Sequence, residues 1–218
     1  MLKLLAIMSN REKSIAGEYY HVYNRGVDKR IIFTDERDYQ RFLSSLIAFN
    51  NIEPIGSIYE QSFVKNKNKI KPLIRIICYC LNPNHFHLII SPLADGGVES
   101  FIQKIGTGYT MYFNGRQKRS GRLFQGPYKV KHISDNGYLL HLSAYVNLNN
   151  LVHRLGGRAS KSSWSEYCGE VNGGLCNKRI ILDQFENNRE YEEFAQEIVT
   201  EVSIRRQEDK ELDSLLLE

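Results

Sequence analysis

The chain has 218 residues, 42% of them apolar and 25% charged, with a formal net charge of +4. That length buries one substantial core and leaves a small appendix at the C-terminus. No run approaches the roughly 18 apolar residues that cross a bilayer. The opening Met1-Leu-Lys-Leu-Leu-Ala-Ile-Met8 lacks a secretory cleavage signature, so a cytoplasmic location with no membrane partner is expected.

Charge is distributed unevenly. From Gln61 to Ser134 there are twelve Lys or Arg and two acids, a local charge of +10, while Asp183 to Glu218 carries −8. The stretch from Arg116 to His132 has no acid and is interleaved with Phe124 and Tyr128. Cations hold phosphates and aromatic rings stack unpaired bases, which points to nucleic acid rather than a merely solvated face.

In chain order, residues 1–16 read as a loose arm. Tyr19 to Asn24 reads as a strand with Tyr20, Val22 and Asn24 on one face and Tyr19, His21 and Tyr23 on the other. Arg25 to Arg30 is a basic loop whose Gly26 can take positive φ. Asp35 to Asn50 is a helix with Tyr39, Phe42, Leu43, Leu46 and Ile47 as its apolar stripe and Thr34 as N-cap. Ile52 to Val64 is ambiguous, an extra strand being one reading, and a lysine-alternating loop follows to Lys71.

Asn82-Pro83-Asn84 is a turn signal between the apolar runs Leu73 to Leu81 and Phe86 to Ile90, which makes a β-hairpin. Period-two alternation points His85 and His87 the same way and sends Phe86, Leu88 and Ile90 to the other face. Two adjacent imidazoles form a metal-binding edge or a pair of idle surface histidines.

The four cysteines do not form a disulfide framework. A zinc site from Cys78, Cys80, His85 and His87 is the alternative, but it lacks C-x₂-C spacing, and buried thiols packed as small apolar groups are preferred.

Val98 to Asn114 is a second helix carrying Ile102, Ile105, Tyr109 and Tyr112. Arg116 to Gly126 is a basic loop, and Tyr128 to Ile133 a strand. Asp135 to His153 repeats leucine at helical spacing, with Tyr145 and Asn149 four apart on one face. Gly156 to Asn177 reads as a polar loop, and Ile180 to Glu218 as one or two acidic helices. The order β-α-β-β-α-β-α gives an α+β fold, an antiparallel sheet with helices on one face and a helical C-terminal extension.

His85-Phe86-His87 after a Pro-Asn turn, followed by Tyr145-Val-x-x-Asn149, resembles the REP-associated tyrosine transposases of the single-tyrosine HUH superfamily. Tyr20-His-Val-Tyr-Asn-Arg-Gly26, Phe33 with Asp38-Tyr39, and Gly121-Arg-Leu-Phe-Gln-Gly-Pro-Tyr-Lys129 fit the same pattern. The chain departs from it at Asn82, Pro127 and Asn150, where relatives often carry methionine, arginine and proline. The resemblance implies a ferredoxin-like catalytic domain over residues 17–154, preceded by the arm 1–16 and followed by an extension over 155–218.

The implied reaction is metal-dependent cleavage and rejoining of single-stranded or hairpin DNA through a 5′-phosphotyrosine. It assigns Tyr145 as nucleophile and His85, His87 and Asn149 as ligands to Mg²⁺ or Mn²⁺. Arg25, Lys29, Arg30, Arg122, Lys129 and Lys131 become DNA contacts, and a homodimer is allowed. A binding module of the same fold without turnover is the rival reading. An RNA-binding sheet is ranked below both, because the strands lack an RRM-type aromatic signature.

Overall fold

The computed structural model describes residues 13–56, 58, 71–153, 160–171 and 174–215, with the side chains of the last helix as far as Gln207. Its elements are β1 (Tyr19–Arg25), α1 (Glu36–Ala48), β2 (Ile74–Asn82), β3 (His85–Pro92), α2 (Gly97–Arg116), β4 (Lys129–Ile133), α3 (Asn136–Asn147), α4 (Asn149–Val152), β5 (Lys161–Ser162), α5 (Trp164–Tyr167), α6 (Arg179–Leu182) and α7 (Asn188–Leu215). The strands form one antiparallel sheet in the order β4-β1-β3-β2-β5. Its first four strands carry the ferredoxin-like arrangement.

Both faces of the sheet are covered. On one, Tyr20, Val22, Phe86, Leu88 and Ile90 pack against Phe42 and Leu46 of α1 and Phe101, Ile105 and Tyr109 of α2. On the other, Cys78, Cys80 and Ile89 meet Leu139, Leu142 and Val146 of α3 and Tyr191, Ala195 and Val199 of α7. The two long helices expected on one face are there. The tyrosine helix and the C-terminal helix close the opposite face and share its core.

Strand β2 changes face part-way. Its register against β3 shifts between Ile76 and Cys78. Ile74 and Ile76 belong to the first core, as do Tyr79 and Leu81, while Ile77, Cys78 and Cys80 belong to the second. A bulge inserts one residue and so reverses the alternation beyond it.

Several local expectations are corrected. Asp35, not Thr34, caps α1: its carboxylate accepts from the backbone N–H of Arg37 and Asp38, while Thr34 Oγ1 donates to Asp38 at 2.6 Å. Ile47 is 56% exposed and leaves the stripe. Ser14 is buried, its Oγ donating to Glu99 at 2.8 Å and accepting from Val98 N, so the arm's described end is fastened to the start of α2. The tyrosine helix breaks at Leu148 (φ −110°, ψ 20°). The expected polar loop contains β5 and α5, with Tyr167 fully buried and its hydroxyl donating to Ile77 O at 2.9 Å. The strand proposed over 52–64 falls largely outside the described residues.

Gly26 has φ −61°, not a positive value; Asp28 and Lys29 make the left-handed turn instead. What demands glycine is space, because a Cβ at position 26 would collide with the Arg30 carbonyl oxygen and crowd Ile32. Gly26→Ala should therefore destabilise the fold by about 1–3 kcal/mol. A urea midpoint equal to that of the parent would refute this packing account.

Candidate functional site

Cross-strand pairing builds the site on the α3 face of the sheet. Arg25 pairs with His85 and Tyr23 with His87 on β1–β3, and Cys80 pairs with His87 and Asn82 with His85 on β2–β3. His21 and Tyr23 stack on His87 at ring-centroid distances of 5.1 and 5.5 Å. The imidazoles of His85 and His87 meet edge-on at 5.2 Å.

The hydrogen bonds orient both rings. His85 Nδ1 lies 2.6 Å from Asn84 Oδ1, which only accepts, so Nδ1 carries the proton and Nε2 keeps its lone pair. His87 Nδ1 and His21 Nε2 share a hydrogen bond at 2.9 Å. Burial is the first cause that lowers all three histidines. His21 falls to about 4, with the Lys131 charge adding to the effect, and His85 to about 4, with His153 adding. His87 falls well below its usual value, with His21 next in effect. The rings are neutral at neutral pH.

Asn149 is fully buried at the start of α4, just past the break at Leu148. Its Oδ1 lies 3.3 Å from His85 Nε2 and accepts from Asn82 Nδ2 at 2.7 Å. Asn82 Nδ2 is also 2.9 Å from His85 Nε2. Tyr145, half-buried on the last turn of α3, stands edge-on to His87 at 6.1 Å. His85, His87 and Tyr145 open into a cavity of about 540 Å³ lined also by Arg25, Lys129, His153 and Arg206 among others, with no carboxylate among the described lining residues.

The family model described as "Transposase IS200 like" matches residues 16–150. The chain belongs to this family. No protein of curated function matches it. Among solved structures it is similar to a REP-associated tyrosine transposase bound to a REP hairpin, with 14% sequence identity and a TM-score of 0.52 over 78% of this chain and 93% of that one. At such identity the likeness shows the α+β fold. Among the described residues no helix is long and apolar enough to cross a membrane.

In this member of the family the expected site residues fall into two groups. His85, His87, Asn149, Tyr145, Arg25 and Lys129 converge on one cavity or its donor cluster. Lys131 lies two cross-strand pairs further along β4, opposite His21, with Nζ donating to Tyr138 Oη at 3.1 Å. Lys29 is exposed, and the Arg30 side chain is partly buried. Arg122 lines a separate, largely apolar cavity between α2 and the 122–128 loop. His21, Asn82, Asn84, His153 and Arg206 were missed. Only His21 carried a signal, sharing a predicted strand face with Tyr23.

Among the described residues no group of three or more His, Cys, Asp or Glu side chains could hold a metal ion, so the zinc alternative is not assembled. Cys80 Sγ turns instead to Asn82 Oδ1 at 3.6 Å, and burial pushes its thiol up to about 12. The pair of neutral imidazoles with the Asn149 oxygen is a different set of donors. Its chemistry fits a divalent cation that accepts mixed nitrogen and oxygen ligands, and Asn84 and His21 orient the rings from behind.

Buried neutral histidines make stability depend on pH with a definite sign. The unfolded chain takes up protons below 6.5 whereas folded His21 and His85 resist until about 4. Stability is therefore complete above pH 6.5 and is lost as pH falls towards 4. The loss should reach on the order of 2 kcal/mol per histidine by pH 5. Urea midpoints measured from pH 7.5 to 4.5 in metal-free buffer test this, and a flat profile between pH 7 and 5 contradicts it.

Proposed function

We propose that this protein cuts and rejoins single-stranded or hairpin DNA through a covalent 5′-phosphotyrosine on Tyr145. His85, His87 and Asn149 hold Mg²⁺ or Mn²⁺. The observation that carries the reading is one cavity that brings the Tyr145 phenol and the neutral imidazoles of His85 and His87 together with three cations, with no carboxylate among its described lining residues. Such a surface favours a polyanion and disfavours an acidic or apolar ligand.

Tyr145 Oη attacks a backbone phosphorus. The Oη–P bond forms, the P–O3′ bond breaks, the phenolic proton leaves to solvent and the 3′-oxygen departs as a hydroxyl. The phosphodiester energy is kept in the ester to tyrosine, so rejoining needs no nucleotide cofactor. A divalent cation held by His85, His87 and Asn149 would supply Lewis acidity to the phosphoryl transfer. Arg25 and Lys129 hold flanking phosphates, and Tyr23 offers a ring to an unpaired base. That Tyr145 stands beside His87 of its own chain supports a reading in which one copy supplies both the nucleophile and the ligands. The protein acts on DNA in the cytoplasm.

Tyr145→Phe removes one hydroxyl and keeps the ring. With a labelled hairpin oligonucleotide taken from the palindromes flanking its gene and Mn²⁺, the parent should carry the cut strand through a denaturing gel. EDTA should abolish that adduct, and so should Tyr145→Phe, while DNA affinity stays within about threefold. An adduct that survives Tyr145→Phe moves the nucleophile elsewhere. A parent that binds this DNA without forming an adduct is a binding module.

The cation set predicts the salt dependence. Each phosphate contact contributes about 0.7 to the log–log slope for single strands. Neutralising Arg25, Lys129 and Lys131 together should lower the slope by about 2. An unchanged slope would place the DNA path on another surface.

A further inference from the structure

Residues 151–218 lie outside the segment that matches the family, yet one of them touches the proposed nucleophile. The buried positions of α7 include Tyr191, Ala195 and Val199, with Val202 packed alongside. One turn on, Arg206 continues that stripe into the cavity. Its Nη2 donates to Tyr145 Oη at 3.1 Å, and its guanidinium carbon lies 5.9 Å from the centre of the phenol ring. Its neighbour Arg205 turns instead to Glu201 at 4.0 Å. Among the described residues no carboxylate forms an ion pair with Arg206, although the helix is rich in acids. A guanidinium aimed at one phenolic oxygen, with N–H donors to spare and no ion pair among the described residues, is arranged for an anion at that oxygen.

We propose that Arg206 is a catalytic residue of the strand transfer, an inference that rests on Tyr145 being the nucleophile. One N–H holds Oη in place. The planar fork has further N–H donors to offer a non-bridging oxygen of the scissile phosphate. As Oη–P forms and P–O3′ breaks, the phenolic proton goes to solvent and the 3′-oxygen leaves as a hydroxyl that takes its proton from water. Charge builds on the non-bridging oxygens at that moment, where a preorganised guanidinium stabilises it most. Arginine stays charged throughout and is not the base. Once the ester has formed, Oη is a bridging oxygen and a poorer acceptor, and the guanidinium holds the phosphotyrosine through its free oxygens.

The test is the single-turnover rate of adduct formation on the same hairpin oligonucleotide with Mn²⁺, measured beside DNA affinity and melting temperature. Arg206→Met keeps the length and apolar stem, and should slow the adduct by about 100-fold with affinity within about threefold. Arg206→Lys should recover part of the rate. Millimolar methylguanidine should partly rescue Arg206→Ala, which a purely structural role does not permit. An unchanged rate in Arg206→Met overturns the inference and leaves the Tyr145 reading standing. So does a loss of rate that merely tracks lost binding or lost stability, without rescue. If the parent forms no adduct, both readings fall together.

Discussion

The Asn147 side chain is the joint on which the site depends. It is fully buried, its Oδ1 accepts from Ser163 Oγ at 2.5 Å, and its Nδ2 donates to Tyr191 Oη at 2.9 Å. Ser163 Oγ also accepts from Tyr79 N at 2.9 Å, and Ser143 Oγ lies 3.1 Å from Tyr191 Oη. One amide thus ties α3 to β2, to the turn before α5 and to α7. Leaving any of these buried groups unpaired costs about 1–3 kcal/mol, so α3 has one favourable position on the sheet. Two residues to either side stand Tyr145 and Asn149. This buried network therefore decides where the phenol and the amide oxygen lie relative to the imidazoles.

Burial sets the electrostatics of the same region. It holds His21, His85 and His87 neutral, which keeps lone pairs available where protonated rings would repel a cation. The nearby charges belong to Arg25, Lys129 and Arg206, which are more exposed than His21 and His87. Dry neutral donors at the floor and wet cations at the rim divide the work: the floor suits a metal and the rim a phosphate chain. Among the described residues, the contribution of α7 to the cavity is an arginine.

Much of the architecture was legible because the sheet alternates cleanly where one face is apolar. His85 and His87 share a face for that reason, and Phe86, Leu88 and Ile90 fill the core opposite. The bulge in β2 was not legible: Ile76, Ile77 and Cys78 are all apolar, so a slip of one residue leaves no mark on the pattern. The break at Leu148 was hidden too, since neither glycine nor proline announces it and the leucine repeat runs through it. In α7 the acids are as numerous as the apolar residues, and the stripe through Tyr191, Ala195 and Val199 is thin enough to read as a solvated helix. Asn82 and Asn84 read as turn formers, which they are, and the turn concealed their second use as partners of His85.

That bulge links the hydrophobic cores to the donor set. Strict alternation from Ile74 and Ile76 would carry Cys78, Cys80 and Asn82 into the first core and turn Leu81 towards the histidines. The inserted residue sends Leu81 inward instead and brings Asn82 to the site. There its Oδ1 accepts from Ser160 Oγ at 2.9 Å, which fixes the amide's orientation. Its Nδ2 then directs positive hydrogens at His85 Nε2 and Asn149 Oδ1, holding two acceptors 3.3 Å apart that would otherwise face each other lone pair to lone pair. A cation entering between them would exchange places with an N–H rather than assemble the site anew. Under the proposed function that exchange would give up hydrogen bonds of about 1 kcal/mol each and keep the spacing of the donors, so the sheet irregularity would be the means of holding those donors in place.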